Sequence, residues 1–429
     1  MKQRGFSPAR VLTLGLTAFL VQILSTQAAD PAPTSSRPVG VLPDSWGAIE
    51  EITLHFNEQL AVALEPLYRD LFRELADDVR IRVLCPSGDD ARVFVRTWMP
   101  SLRGREVTVI DAGVPLSVWA RDRCIPRQSI DLRDRANAFI PYPEPNYDNE
   151  RENELLVCGW LSQERPEPAP PIEPLRIDGG NIVSNRRQVF FGANVLPENE
   201  GMEDAVLWRS VGLLAGREYV LVGDEHGEVP WCHVDMYLTP IDEDTVLVAS
   251  PRLGLELTGE ACDEDADPMT DPGLGAACLA DMLQERFDAV VTLLADHGYR
   301  VRRVPALVNV ADEWMVTYNN VLIDDRSDRR TVYVPIYGLP VLDEVAVAIY
   351  IGLGFDVRTV DVSNVFASGG ALRCVVNVTQ RRPPDIAASA RTRRVRFATL
   401  TDRGPVARHT LWPRRRLTAR QPVLEGTTR

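Results

Sequence analysis

A strand–helix–strand alternation recurs between residues 46 and 380, with no repeat of fixed period beneath it, and it restricts the fold more than any other feature. Apolar extended runs at 51–56, 81–85 and 105–113 are separated by stretches with helical apolar spacing, Glu58 to Ala76 and Ala91 to Leu102. A second group has strands near 181–192, 218–222, 233–240 and 245–250, with a helix near 199–214. A third has helices at 279–297 and 341–353 among strands at 299–305, 315–324, 331–336, 356–362 and 371–379. Such alternation predicts mixed α/β architecture. The segment 127–176, crowded with Pro, Asn and Glu, reads as a long surface excursion.

The ends of the chain read differently. Lys2, Arg4 and Arg10 precede an apolar run from Val11 to Leu24, and small residues follow to Ala29, so 1–29 has the pattern of a secretory signal. That run is too short to span a bilayer comfortably, and a secreted or periplasmic protein with no membrane span is expected. Residues 30–43 (DPAPTSSRPVGVLP) read as a linker, 44–383 as one catalytic domain and 384–429 as an Arg-rich tail. Eleven arginines against Asp402 and Glu425 in 391–429 fit a solvated tail or an anchor to an acidic surface.

The formal charge is −14, becoming −17 once Lys2, Arg4 and Arg10 are removed. A chain this acidic is a poor nucleic-acid binder and an attractive surface for cationic small molecules or arginine-rich peptides. Of seven cysteines, an exported chain leaves at least one unpaired, and the other six allow three disulfides. Cys262 and Cys278 bracket an acidic loop and are the best candidates for a bridge. Within that loop (262–273) Asp263, Asp265 and Asp267 alternate as calcium ligands do, but Pro268 stands where an EF-hand loop needs glycine, and a solvated loop is the expected reading.

Chemistry is suggested by four short stretches. SGGALRCVVN (368–377) presents a single thiol, Cys374, beyond a glycine pair and at the start of an apolar strand; a buried core cysteine has the same appearance. VWARDRCIP (118–126) follows an apolar strand and carries Trp119 and Asp122, with Arg121 as an ion-pair partner and Cys124 as a disulfide candidate beside them. HVDMYL (233–238), read as a strand, puts His233 and Asp235 on one face. Such a pair can be two metal ligands, a core pair, or an acid/base beside a carboxylate that grips substrate. IDGGNIV (177–183) gives a second glycine pair between Asp178 and Asn181, and GGNIVSNRRQVFFG reads as a hairpin.

In their order along the chain these stretches resemble the guanidino-group modifying enzymes, the pentein superfamily, and within it the bacterial peptidylarginine deiminase and agmatine deiminase family. The shared pattern is a W-x-R-D segment (Trp119 to Asp122), a GGN turn (Gly179 to Asn181), an H-V-D strand (His233 to Asp235) and a late glycine-rich cysteine (Gly369 to Cys374). TYNNVLI (317–323) is similar to the family's Y-x-N strand, with Asn320 in the matching place.

The resemblance implies a five-bladed α/β propeller of ββαβ-like units around a central active-site channel. It implies that Asp122 and Asp235 clamp a substrate guanidinium, that Cys374 attacks it and that His233 moves the protons. Trp119, Asp178, Gly180, Asn181, Asn320 and Gly370 would bind substrate, with no metal or cofactor. The expected activity is a secreted deiminase acting on arginine in peptides or proteins. The alternatives are agmatine deimination, amidino transfer to an acceptor amine, or an inactive guanidinium-binding protein. The sequence departs from the pattern at Arg373, where agmatine enzymes often have histidine, at Cys124, and in VVNVTQ after the thiol. Those departures bear on free agmatine as substrate more than on deimination.

Overall fold

A computed structural model of the chain describes residues 39–122, 124–133, 137–139, 175–224, 226–259, 272–309 and 314–384. The signal-like segment, the Arg-rich tail, the candidate calcium loop and the side chains of Cys262 and Cys278 lie outside the described residues.

The order is β1 (Val39–Val41), β2 (Ala48–His55), α1 (Ala61–Glu74), β3 (Arg80–Cys85), α2 (Gly88–Trp98), β4 (Val107–Asp111), β5 (Ile125–Ser129) and β6 (Asn137–Phe139). Then come β7 (Ile182–Ser184), β8 (Gln188–Gly192), α3 (Asp204–Ala215), β9 (Glu218–Val222), β10 (Leu238–Pro240), β11 (Thr245–Ser250), α4 (Pro251–Thr258), α5 (Pro272–Asp296) and β12 (Arg300–Asn309). The last group is β13 (Trp314–Thr317), β14 (Leu322–Asp325), β15 (Arg330–Ile336), α6 (Pro340–Gly352), β16 (Asp356–Asp361) and β17 (Val376–Arg382).

The described strands form five sheets: β1-β5-β6, β7-β8-β9, β10-β11-β12-β13, β14-β15-β16 and β17-β2-β3-β4. One unit recurs, an antiparallel strand pair followed by a helix that returns the chain to a parallel strand. It is seen in β7-β8-α3-β9, in β10-β11-α4/α5-β12 and in β14-β15-α6-β16. The sheet of β2 completes the same pattern with the far end of the chain, because β17 pairs antiparallel with β2, Val376 opposite Leu54. Strand β11 (TVLVAS), paired on both sides by β10 and β12, is buried at every residue. Helix starts are set by local chemistry. Ser87 accepts from Asp90 N at the start of α2, with Asp89 and Asp90 in its first turn, and Ser250 caps α4 ahead of Pro251.

Several expected boundaries differ. Part of the linker-like segment is β1, hydrogen-bonded to β5, and the Pro-rich excursion begins with the rest of β5 and β6. Helix α5 starts at Pro272, earlier than 279. The stretch 315–324 is two strands broken at Tyr318–Val321. His233 is not on a strand: Met236 N donates to His233 O (3.1 Å) and Tyr237 N to Val234 O (3.2 Å), closing a short 3₁₀ turn before β10. Cys374 likewise lies on a helical turn, Leu372–Val375, that leads into β17. β-Branched residues around both sites favour strands, but tertiary contacts override that preference.

Candidate active site

Cys374 sits where two hydrophobic clusters meet. The thiol packs with Val234, Met236 and the β10–β12 core, while Leu372, Val375 and Val376 belong to the cluster built on β2, β3 and α1. Trp119 packs against both clusters. It also lies over Gly370, where a Cβ would come within 2.5 Å of the indole and 3.2 Å of Cys374 Cβ. Only glycine admits that approach.

Hydrogen bonds then join the four motifs. Arg121 N donates to Cys374 O (3.2 Å), and Gly179 N donates to Asp122 O (2.8 Å), so the Trp119–Asp122 turn is tied to both glycine segments. The Arg121 side chain is spent on the scaffold, donating to Gly179 O (3.1 Å), Asn377 Oδ1 (3.3 Å) and Ile182 O (3.4 Å). Gly180 lies against the His233 ring, 2.5 Å from Nδ1 to the position of a Cβ. His233 Nε2 is 3.3 Å from Asp178 Oδ2.

Asn320, in the break between β13 and β14, staples the thiol in place. Its Oδ1 accepts from the backbone N of Arg373 (2.7 Å) and of Cys374 (3.3 Å), and its Nδ2 lies 3.4 Å from both Cys374 Sγ and Asp235 O. Met236 Sδ is 4.0 Å from the thiol sulfur. Of the predicted site residues, the structure thus brings Trp119, Asp122, Asp178, Gly180, His233, Asp235, Asn320, Gly370 and Cys374 into one connected cluster. Asn181 differs: its side chain donates to Asn194 Oδ1 (2.7 Å) and packs against Gly192, on the hairpin side of the turn.

Asp235 is buried and already ion-paired. Arg373 Nη1 donates to Asp235 Oδ2 (2.6 Å), and Nη2 donates to Asp44 Oδ1 (2.9 Å) and Ile182 O (2.9 Å). Little in the sequence points to this pairing. The visible signal was an arginine inside an apolar run (ALRCVV), which requires carboxylate company when buried. Nothing in the sequence marks Asp44, the first residue after the segment read as linker.

The electrostatics are set by burial and by a cluster of carboxylates. Burial, then the charges of Asp235 and Asp122, push the Cys374 thiol well above its ordinary pKa. Burial alone would lower the pKa of His233, but its hydrogen bond to Asp178 and the charge of Asp122 outweigh that and raise it well above the usual imidazole value. Burial would raise the pKa of Asp44; the Arg373 and Arg121 charges bring it below the usual carboxylate value. Four carboxylates (Asp44, Asp122, Asp178 and Asp235) face the guanidiniums of Arg121 and Arg373 and the His233 imidazolium. The charge of Arg381 also acts on Asp44, so the carboxylates of the cluster are matched by buried cations.

Cys85, Cys124, Cys232 and Cys374 are free thiols. That corrects the expectation of three disulfides and of a bridged Cys124. Cys124 is instead buried, with its carbonyl accepting from Asn377 Nδ2 (2.7 Å). Among the described residues there is no group of three or more metal-ligating side chains, and no helix is long and apolar enough to cross a membrane.

No family model matches the chain, and no curated protein matches it in sequence. Solved structures do match it in fold. An agmatine deiminase of C. jejuni aligns over 82% of this chain and 98% of its own, at 15% identity and a TM-score of 0.59. The agmatine deiminase of Enterococcus faecalis aligns over 82% and 99%, at 13% identity and a TM-score of 0.56. A structure assigned as a peptidyl-arginine deiminase aligns over 80% and 99%, at 16% identity and a TM-score of 0.56. The fold is the α/β fold of the agmatine deiminases. Its described strand order and its turn-borne thiol are those of this chain's own geometry.

Proposed function

We propose that this chain hydrolyses the guanidinium of small alkylguanidines to a ureido group and ammonia, with agmatine the favoured substrate class. The observation that carries the reading is Cys374, an unbridged thiol stapled by Asn320 in a buried, carboxylate-lined site with the His233–Asp178 pair. The fold likeness to two agmatine deiminases supports agmatine over arginine in peptides, which the sequence pattern alone put first. We further propose that the recurring units surround a common axis as five blades, with the site in the channel, and that residues 1–29 direct export.

The chemistry follows from a planar, delocalised cation that resists attack. Asp122 and Asp235 orient it, and its charge offsets the carboxylates that hold the Cys374 proton on, so binding itself favours the thiolate. The sulfur adds to the central carbon. Protonated His233 gives its proton to the departing nitrogen, which leaves as ammonia, and a cationic thiouronium remains on Cys374. Neutral His233 then takes a proton from water, and the hydroxide adds to the same carbon. The thiolate departs as the new hydroxyl gives its proton to solvent, where it ends on the released ammonia, leaving the neutral ureido product.

Ammonia release from agmatine is the test, alongside citrulline formation in an arginine peptide. Turnover with agmatine is expected, with loss of roughly 10³-fold or more in Cys374→Ala and His233→Ala. Undiminished ammonia release by folded Cys374→Ala removes the mechanism. A preference for the peptide restores the reading in which arginine in proteins is the substrate.

A further inference from the structure

Arg373 immediately precedes the thiol, and its guanidinium is almost wholly enclosed, its side chain 5% exposed and that of its partner Asp235 0%. It spans two carboxylates from distant segments, Asp44 (2.9 Å) and Asp235 (2.6 Å), and takes a third anchor at Ile182 O (2.9 Å). Its backbone N is fixed by Asn320 Oδ1 (2.7 Å), the same atom that accepts from Cys374 N. The rigid fork of arginine permits this two-sided grip; the single ammonium of lysine does not reproduce it. Asp235 is left with one oxygen, Oδ1, that accepts no hydrogen bond among the described residues although it is buried. A buried carboxylate oxygen without a donor is costly, so the open acceptor is set for a donor from outside.

We infer that Arg373 is a positioning residue: it occupies Oδ2 of Asp235, ties the carboxylate to Asp44, and presents Oδ1 as the acceptor for an incoming planar amidinium or guanidinium. This rests on the guanidino-hydrolase reading for its biological meaning. Its physical content is separate, namely that recognition of a planar cation beside Cys374 depends on Arg373 while the reactivity of the sulfur does not.

The test uses two thiol reagents on the full chain. Chloroacetamidine is a planar cation that needs the carboxylates, and iodoacetamide is neutral and does not. Rates of modification of the Cys374 peptide are measured by mass spectrometry in wild type, Arg373→Lys and Asp44→Asn. The chloroacetamidine rate, divided by the iodoacetamide rate, is expected to fall roughly tenfold or more in Arg373→Lys and in the same direction in Asp44→Asn, because a displaced carboxylate loses its alignment. An unchanged ratio in a folded Arg373→Lys protein overturns the inference. Should that variant fail to fold by circular dichroism, an unchanged ratio in Asp44→Asn overturns it instead. A fallen ratio in a protein whose wild type releases no ammonia from any guanidine sinks the proposed activity and leaves the role of Arg373 standing.

Discussion

Asp122 acts on two neighbours in opposite senses. It favours the protonated forms of both His233 and Cys374, which helps a proton donor and hinders a nucleophile. In the proposed reaction a substrate cation resolves the conflict, since it offsets the carboxylates only while bound. Asp122→Asn should therefore separate binding from thiol reactivity. The lost charge lowers the Cys374 pKa, so neutral iodoacetamide at mildly alkaline pH should modify that thiol several-fold faster than in wild type. Turnover of a guanidine should fall by roughly a hundredfold or more, because one side of the clamp is gone. Alkylation that slows in Asp122→Asn would mean that Asp122 does not hold the thiol proton. Asp178→Asn should act through His233. With the hydrogen-bonded carboxylate gone the imidazole pKa falls, and the alkaline limb of the kcat/KM profile should move to lower pH. His55, buried beneath the Trp119 turn with Nδ1 2.8 Å from Ser117 O, is a contrasting histidine. Burial pushes its pKa down to about 4, so it stays neutral and should leave that profile unmoved.

Strand β17 shows how an element far along the chain completes the first sheet and carries the thiol with it. Arg381, fully buried on β17, donates to Gly47 O (2.7 Å), Ile323 O (2.8 Å) and Asp44 O (3.0 Å), so β17 is tied to the segment that holds Arg373. Arg381→Met removes a donor from the carbonyls of Gly47, Ile323 and Asp44, of which Gly47 O keeps the bond from Asp325 N (3.3 Å), and should cost roughly 2 kcal/mol or more, read as a lower urea midpoint. A midpoint within experimental error of wild type would show that water or a shifted backbone replaces the arginine. The alternation of strand and helix was readable because apolar periodicity is a local property, and the GGN hairpin emerged with Ile182 opposite Phe191. The turns carrying His233, Asn320 and Cys374 were not readable as turns. The β-branched and aromatic neighbours favour strands, which masks the Asn319–Asn320 turn signal, and what fixes the bends is the Asn320 amide, the Arg373–Asp235 pair and the close contact at Gly370, all made between distant segments. For the same reason the motif aspartates were found from order along the chain, while Asp44 and the grip of Arg373 became visible only in three dimensions.

At the scale of the molecule, charge should govern how substrate arrives. The chain carries a formal charge of −14. A negative protein steers cations toward it over distances comparable to the Debye length, about 10 Å at 0.1 M salt. Raising ionic strength from about 0.01 to 0.3 M shortens that reach severalfold. For a cationic alkylguanidine, kcat/KM should therefore fall with salt while kcat, measured at saturation, changes little. Iodoacetamide supplies the control within the same protein, because its reaction at Cys374 involves no charge on the reagent and should show little salt dependence. The two slopes together separate steering from any salt effect on the fold. A kcat/KM for the cation that is flat across that range, with a thiol that still reacts, would place recognition in the short-range contacts at Asp122 and Asp235 and leave the overall acidity without a part in catalysis.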